Sequence, residues 1–142
     1  MFKLHHVGHV VKDYDEALKI HEKLPWIPSP SGIIYHPAVG SRIRFFNIGD
    51  MQIEVISPGG LGGDPAMEVL KQRGEGLFHL GFYVTDFEAE IEKLRKKGFK
   101  AEVTFFEPVG GKQKIRLAWL KPEETKGLWI ELLDETTVPP MF

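Results

Sequence analysis

Cysteine is absent from the 142 residues. No disulfide can staple the chain, and no thiolate can serve as metal ligand or nucleophile. Amides are scarce too, with one asparagine, Asn47, and three glutamines, a composition in keeping with a heat-adapted source. No basic block stands out and the net charge is −2, so nothing argues for nucleic acid or an anionic membrane as partner. No apolar run approaches membrane-spanning length. The first residues, Met1-Phe2-Lys3-Leu4-His5-His6-Val7, read as a strand and lack a signal-peptide core, so a cytoplasmic location is expected.

What is present fits a single globular domain over residues 1–142. The chain is 42% hydrophobic and 27% charged, proportions that allow a core to be buried without staples. Its main feature is an internal repeat. Leu4-His5-His6-Val7-Gly8 is matched 73 residues later by Leu77-Phe78-His79-Leu80-Gly81. Ile53-Glu54-Val55-Ile56 is matched 77 residues later by Ile130-Glu131-Leu132-Leu133. The same overlay pairs Val11 with Val84, Asp13 with Asp86, Tyr14 with Phe87 and Leu18 with Ile91.

In each half a short strand ends at an aspartate placed to cap a helix, and Asp13 with Glu16 three residues on suits a capping-box variant. Phe87, Ile91 and Leu94 recur at helical spacing, and Lys96-Lys97-Gly98 closes that helix. Strand-like segments follow at 42–48 and 51–57 in the first half, with 33–36 as a possible third, and at 100–106, 115–120 and 128–133 in the second. The pattern is a β-α-β-β-β unit used twice, with module one at about 3–57, a connector at about 58–76 and module two at about 77–134.

The connector opens with Pro58-Gly59-Gly60-Leu61-Gly62-Gly63-Asp64-Pro65, followed by a short helix over about 65–73. No Gly-Lys-Ser/Thr follows the glycines, so a flexible link is expected rather than a phosphate loop. Trp26-Ile27-Pro28-Ser29-Pro30-Ser31-Gly32 reads as a second irregular stretch, and 136–142 as a frayed tail.

Strand parity places the repeated polar residues together. Phe78, Leu80, Phe82 and Val84 form an apolar face for the helices, leaving His79 opposite with Leu77, Gly81 and Tyr83. By the same rule Glu131 lies opposite Ile130 and Leu132, and Glu54 opposite Met51, Ile53 and Val55. A carboxylate on an apolar strand is expensive unless paired or metal-bound. Taken singly, a strand histidine is more often a hydrogen-bonded core residue, and a lone glutamate an edge residue facing water. The duplication in register favours one metal site built from His6, Glu54, His79 and Glu131, with Gly8 and Gly81 leaving space beside the histidines. His5 and His9 fall on the other face by parity and match Phe78 and Phe82 in the repeat. His21 reads as a surface or helix-packing residue.

Lys3-Leu4-His5-His6-Val7-Gly8 with Val11-Lys12-Asp13, Gly74-Glu75-Gly76-Leu77-Phe78-His79-Leu80, and Leu120-Lys121-Pro122-Glu123 with Gly127-Leu128-Trp129-Ile130-Glu131-Leu132 resemble segments of the vicinal oxygen chelate superfamily. That group includes glyoxalase I and methylmalonyl-CoA epimerase, and the resemblance spans about residues 3–134. It implies an α+β fold in which two tandem β-α-β-β-β modules form a cup-shaped, eight-stranded mixed sheet. It also implies one divalent metal ion on His6, Glu54, His79 and Glu131, and such mixed ligands suit Zn, Co, Ni, Mn or Fe(II).

The activity implied is isomerase or lyase chemistry on a small-molecule carbonyl or thioester substrate, through proton abstraction next to the carbonyl. Glu131 is the first candidate for base, with Glu54 as its counterpart. A homodimer is implied, with the site in one chain or shared between two. The epimerases carry a further glutamate in the stretch corresponding to Tyr35-His36-Pro37-Ala38-Val39-Gly40, where this chain has no carboxylate and His36 is the available substitute. Arg42, Arg44, Lys112 and Lys114 are candidates for meeting a phosphate or carboxylate. The alternatives are an extradiol-type iron dioxygenase, against which a fourth ligand at Glu54 argues, and a non-catalytic binding or resistance protein of the same fold.

Overall fold

The computed structural model describes residues 1–37, 39–61, 63–107 and 114–138, with residues 31–33 described by their backbone alone. Lys112 and the end of the tail lie outside the described residues. The first module comprises β1 (Phe2–Val10), α1 (Tyr14–His21), β2 (Ile27–His36), β3 (Ser41–Ile48) and β4 (Met51–Ser57). The connector carries α2 (Pro65–Arg73). The second module comprises β5 (Gly76–Val84), α3 (Phe87–Lys96), β6 (Glu102–Phe106), β7 (Ile115–Leu120), the single turn α4 (Pro122–Thr125) and β8 (Trp129–Asp134).

All eight strands form one mixed sheet in the order β2-β3-β4-β1-β5-β8-β7-β6. Within each module the first strand pairs in parallel with the last, β1 with β4 and β5 with β8. The modules meet through the antiparallel pair β1–β5. The two histidine strands therefore lie side by side at the centre, each flanked by its module's glutamate strand.

Local chemistry explains most boundaries. Asp13 Oδ1 accepts from the Glu16 N–H at 3.0 Å and starts α1. Asp64 caps α2 in the same way, accepting from Ala66 at 2.9 Å, with Pro65 pre-set for the first turn. The expected equivalence of Asp86 fails, because it adopts a left-handed conformation (φ 51°) and makes no side-chain cap. Gly49, also at positive φ, makes the two-residue turn that sets Ile48 opposite Met51.

The stretch 26–32, expected to be irregular, is mostly strand, since β2 begins at Ile27. Two prolines are tolerated because β2 is an edge strand, where a missing N–H removes no ladder bond, and its pairing with β3 is interrupted between Pro28 and Ile33. The connector is tied down rather than free. Gly59 packs on the Gly40 backbone so closely that a Cβ there would lie 2.2 Å from it, and Ser41 Oγ donates to Asp64 at 2.6 Å.

Helices α1 and α3 cover one face of the sheet. Ala17 packs with Val11, Phe46 and Val55, and Phe87 and Ile91 pack with Val84 and Leu132. Helix α2 lies on the opposite, concave side, where Ala66 and Val69 meet Ile56, Phe78 and Trp129. On the helix face Trp26 Nε1–H donates to His21 Nδ1 (3.2 Å). That leaves His21 Nε2–H to donate to His9 Nδ1 (2.9 Å). Burial lowers the pKa of both imidazoles, so His21 is the helix-packing residue its position indicates.

One ion pair locks the end of β8. Arg116 donates to Asp134 Oδ2 through Nε (2.9 Å) and Nη2 (2.6 Å), lies over the Phe87 ring at 4.8 Å and pairs with Glu88. Burial would raise the Asp134 pKa, but hydrogen bonds from Thr136 and Arg116 outweigh it and the net shift is downward. Arg116→Met is expected to destabilise the protein by about 2–3 kcal/mol at neutral pH, below the full penalty for a broken buried pair because the guanidinium is partly hydrated. A depressed carboxylate contributes stability above its unfolded pKa of about 3.9 and loses it as pH falls through the folded value. The difference between variant and wild type in urea unfolding should therefore shrink in acid.

Candidate metal centre

The four side chains singled out in the sequence converge within one chain. His6 Nε2 lies 2.7 Å from His79 Nε2, 3.1 Å from Glu131 Oε2 and 3.7 Å from Glu54 Oε2. His79 Nε2 lies 3.5 Å from Glu131 Oε2 and 3.8 Å from Glu54 Oε1. All four residues are buried. His6, His79 and Glu131 form the tightest group, their ligand atoms within 4.8 Å of one another.

The geometry is built crosswise. Gly81 pairs with His6 across β1–β5 and with Glu131 across β5–β8, while Gly8 pairs with Glu54 across β1–β4. A Cβ on Gly81 would lie 2.1 Å from His6 Cε1, and one on Gly8 would lie 2.3 Å from His79 Nδ1. Each glycine thus vacates the volume occupied by the other module's imidazole, rather than space beside its own.

The donor set fits a divalent cation. With bond lengths of about 2.0–2.2 Å for imidazole and carboxylate, neighbouring ligand atoms around one ion stand about 3 Å apart. Charge makes the same demand, because two neutral imidazoles and two ionised carboxylates leave an uncompensated −2 in a buried place. Burial pushes the Glu54 pKa up. Burial would also lower the His6 pKa, but Glu131 and Glu54 reverse the shift and raise it. Glu131, desolvated yet hydrogen-bonded by both imidazoles, is held below the usual carboxylate range.

Glu54, His79 and Glu131 line the floor of a cleft of about 850 Å³, with His6 buried beside them. Phe78 and Trp119 stack along one wall (centroids 5.8 Å apart), and Trp119 meets Trp129 edge-on at 5.6 Å. His36 also lines this cleft, edge-on to Phe106 at 4.6 Å, and its Nδ1 is buried without a hydrogen-bond partner among the described residues. Arg42 lies over the Tyr14 ring and Arg44 beside Phe46, so these arginines belong to the helix side of the sheet. Lys114 pairs with Glu107 at 2.8 Å. Lys71 and Lys121 line the cleft instead, a placement that sequence spacing did not signal.

Parity assigned His5 to the helix face, and here it fails. The β1–β5 register shifts between Leu4 and His6, which places His5 in a bulge with its ring beside His6, the two Nδ1 atoms 2.8 Å apart. The matching shift between Val7 and His9 sits opposite Phe78 and His79. For that reason Phe78 lines the cleft next to His79 instead of facing α3.

A two-module cup with two imidazoles and two carboxylates converging on its floor defines a domain of the vicinal oxygen chelate type. The chain belongs to the glyoxalase/bleomycin resistance protein/dioxygenase superfamily, whose sequence pattern matches residues 5–119. No curated protein sequence matches it. Among solved structures, it is similar to a hypothetical protein of Bacillus halodurans (27% identity, TM-score 0.74, covering 94% of each chain). It is likewise similar to methylmalonyl-CoA epimerase of Mycobacterium tuberculosis (25% identity, TM-score 0.76, 96% of this chain and 88% of that one). A methylmalonyl-CoA epimerase in complex with methylmalonyl-CoA shares the fold at 21% identity and TM-score 0.75, covering 98% of this chain and 99% of that one. No helix among the described residues is long and apolar enough to cross a membrane.

Proposed function

We propose that the protein is a metal-dependent isomerase or lyase that removes a proton next to a carbonyl, in the manner of methylmalonyl-CoA epimerase or glyoxalase I. The observation that carries this reading is the convergence of His6, His79, Glu54 and Glu131, of which Glu54, His79 and Glu131 line an open cleft. A divalent ion held by these four residues supplies a Lewis acid for negative charge developing on a carbonyl oxygen. Glu131 accepts the proton from the carbon beside that carbonyl, and Glu54 is its counterpart across the centre. The aromatic wall excludes water from the reacting carbon. Glu54 as a fourth side chain at the centre speaks against the two-histidine, one-carboxylate arrangement of iron dioxygenases.

Inversion requires a second group on the opposite face of the planar enolate. His36 takes that role in this proposal. Burial lowers its pKa, with Asp64 and Glu107 opposing, so the imidazole is neutral and able to accept a proton at pH 7. His36→Gln is expected to slow inversion of configuration more than it slows deuterium uptake by a single epimer, a split readable by chiral analysis of partially exchanged substrate.

The test of the reaction class is proton NMR of methylmalonyl-CoA in D2O with Co(II)-loaded protein. Loss of the α-proton signal supports enolate chemistry, and inversion identifies an epimerase. Absence of exchange with metal bound removes this substrate and directs the search to thiol adducts of 2-oxoaldehydes.

A further inference from the structure

The two histidines of the centre are not equivalent, although the modules that carry them are. His6 turns Nε2 toward His79, Glu131 and Glu54, so Nε2 is the atom available to an ion. A neutral imidazole that binds through Nε2 carries its hydrogen on Nδ1. At that position stands His5 Nδ1, 2.8 Å away. His5 is buried at 6% exposure and stacked on Tyr83, with ring centroids 4.2 Å apart and planes inclined by 29°.

In the second module the equivalent place is taken by Phe78, which has no acceptor. His79 Nδ1 is buried without a hydrogen-bond partner among the described residues. On its Nδ1 side the ring meets packing only, between Phe78 (4.3 Å), Trp119 (5.3 Å) and the bare backbone of Gly8. The bulge makes the His5 contact possible. In an unbroken strand, adjacent side chains point to opposite faces, whereas a bulged pair is splayed toward one.

We propose that His5 is a positioning residue of the metal centre. Its Nδ1 accepts the Nδ1–H of His6, fixing both the ring orientation of His6 and the tautomer that leaves Nε2 free for the ion. The inference rests on the metal-site reading given above. A partner on the far nitrogen of a ligating histidine is worth about 10–100-fold in metal affinity, and here an imidazole stacked on tyrosine fills the place more often taken by a carboxylate or carbonyl. The centre accordingly has one histidine oriented from its far nitrogen and one whose far nitrogen meets no hydrogen-bond partner among the described residues.

The experiment is Co(II) titration of the full chain, followed by visible absorption and calorimetry. Wild type is compared with His5→Phe, which retains a ring on Tyr83 but has no acceptor, and with His5→Gln, whose side-chain carbonyl can accept. Binding is expected to weaken by about 10–100-fold in His5→Phe, and His5→Gln is expected to recover most of that loss. If His5→Phe does not fold, judged by its melting curve without metal, His5→Leu serves as the acceptor-free state. In the Zn(II)-loaded protein, nitrogen NMR of His6 should show a single tautomer protonated at Nδ1 in wild type and in His5→Gln. Equal affinity in wild type and His5→Phe overturns the role of His5 and leaves the metal centre standing. Equal weakening in His5→Phe and His5→Gln overturns it as well, since packing alone then explains the loss. A wild-type protein that binds no Co(II) overturns the metal reading and this inference together.

Discussion

Gly81→Ala is expected to destroy the metal centre through a single methyl group. The added Cβ would lie 2.1 Å from Cε1 and 2.5 Å from Nδ1 of His6, far inside contact distance. His6 is 1% exposed and packs at steep angles against Phe45, His5 and His79, so moving its ring away from a Cβ on Gly81 changes its distances to Glu131 and Glu54. Overpacking of this kind costs about 1–3 kcal/mol of stability, which a protein of ordinary stability survives. The loss at the site is larger. Removing a ligand's supporting partner already weakens binding about 10–100-fold, and displacing the ligand itself should exceed the upper end of that range. A Co(II) titration beside a melting curve separates the two effects. Near-wild-type affinity in a folded Gly81→Ala protein would show that His6 does not need the position in which it is found.

Glu131→Gln is expected to lower the rate of α-proton exchange by about 100- to 10,000-fold at saturating Co(II). The two carboxylates occupy different environments. Burial dominates at Glu54 and favours its protonated form, whereas at Glu131 the hydrogen bonds of His6 and His79 overcome burial and favour the ionised form. Glutamine preserves the size of the side chain and an oxygen toward the centre but cannot take up the proton. Glu54→Gln should be the milder change. Exchange that survives Glu131→Gln and disappears in Glu54→Gln would reverse the assignment, and metal content measured on the same samples keeps loss of the ion distinct from loss of the base.

The repeated spacing of His6 with His79 and of Glu54 with Glu131 was enough to choose four residues that meet within one chain. A side chain needed twice must recur at the same place in each module, and that recurrence is visible without coordinates. The aspartate cap at Asp13 places α1, helical spacing places α3, the short helix expected over about 65–73 is α2, and the strand segments other than β2 lie within about two residues of their expected bounds. These signals are local, because they depend on which faces a segment presents and on what its own backbone can adopt.

Long-range pairing decided the rest. Residues 26–32 contain two prolines and read as a loop, yet from Ile27 on they enter β2, whose position at the sheet edge tolerates the missing N–H groups. Gly8 and Gly81 looked like space beside their own histidines, but antiparallel pairing of β1 with β5 gives each to the opposite module. Alternation puts His5 on the wrong face because it assumes an unbroken pleat. A bulge exists only relative to a partner strand, so nothing within Leu4-His5-His6 announces it. The sequence by itself determined the duplication, the element order and the residues of the candidate centre. Tertiary structure alone decided which glycine admits which imidazole, which aromatic rings wall the cleft, and that His5 stands behind His6, since each follows from register between strands distant in the chain.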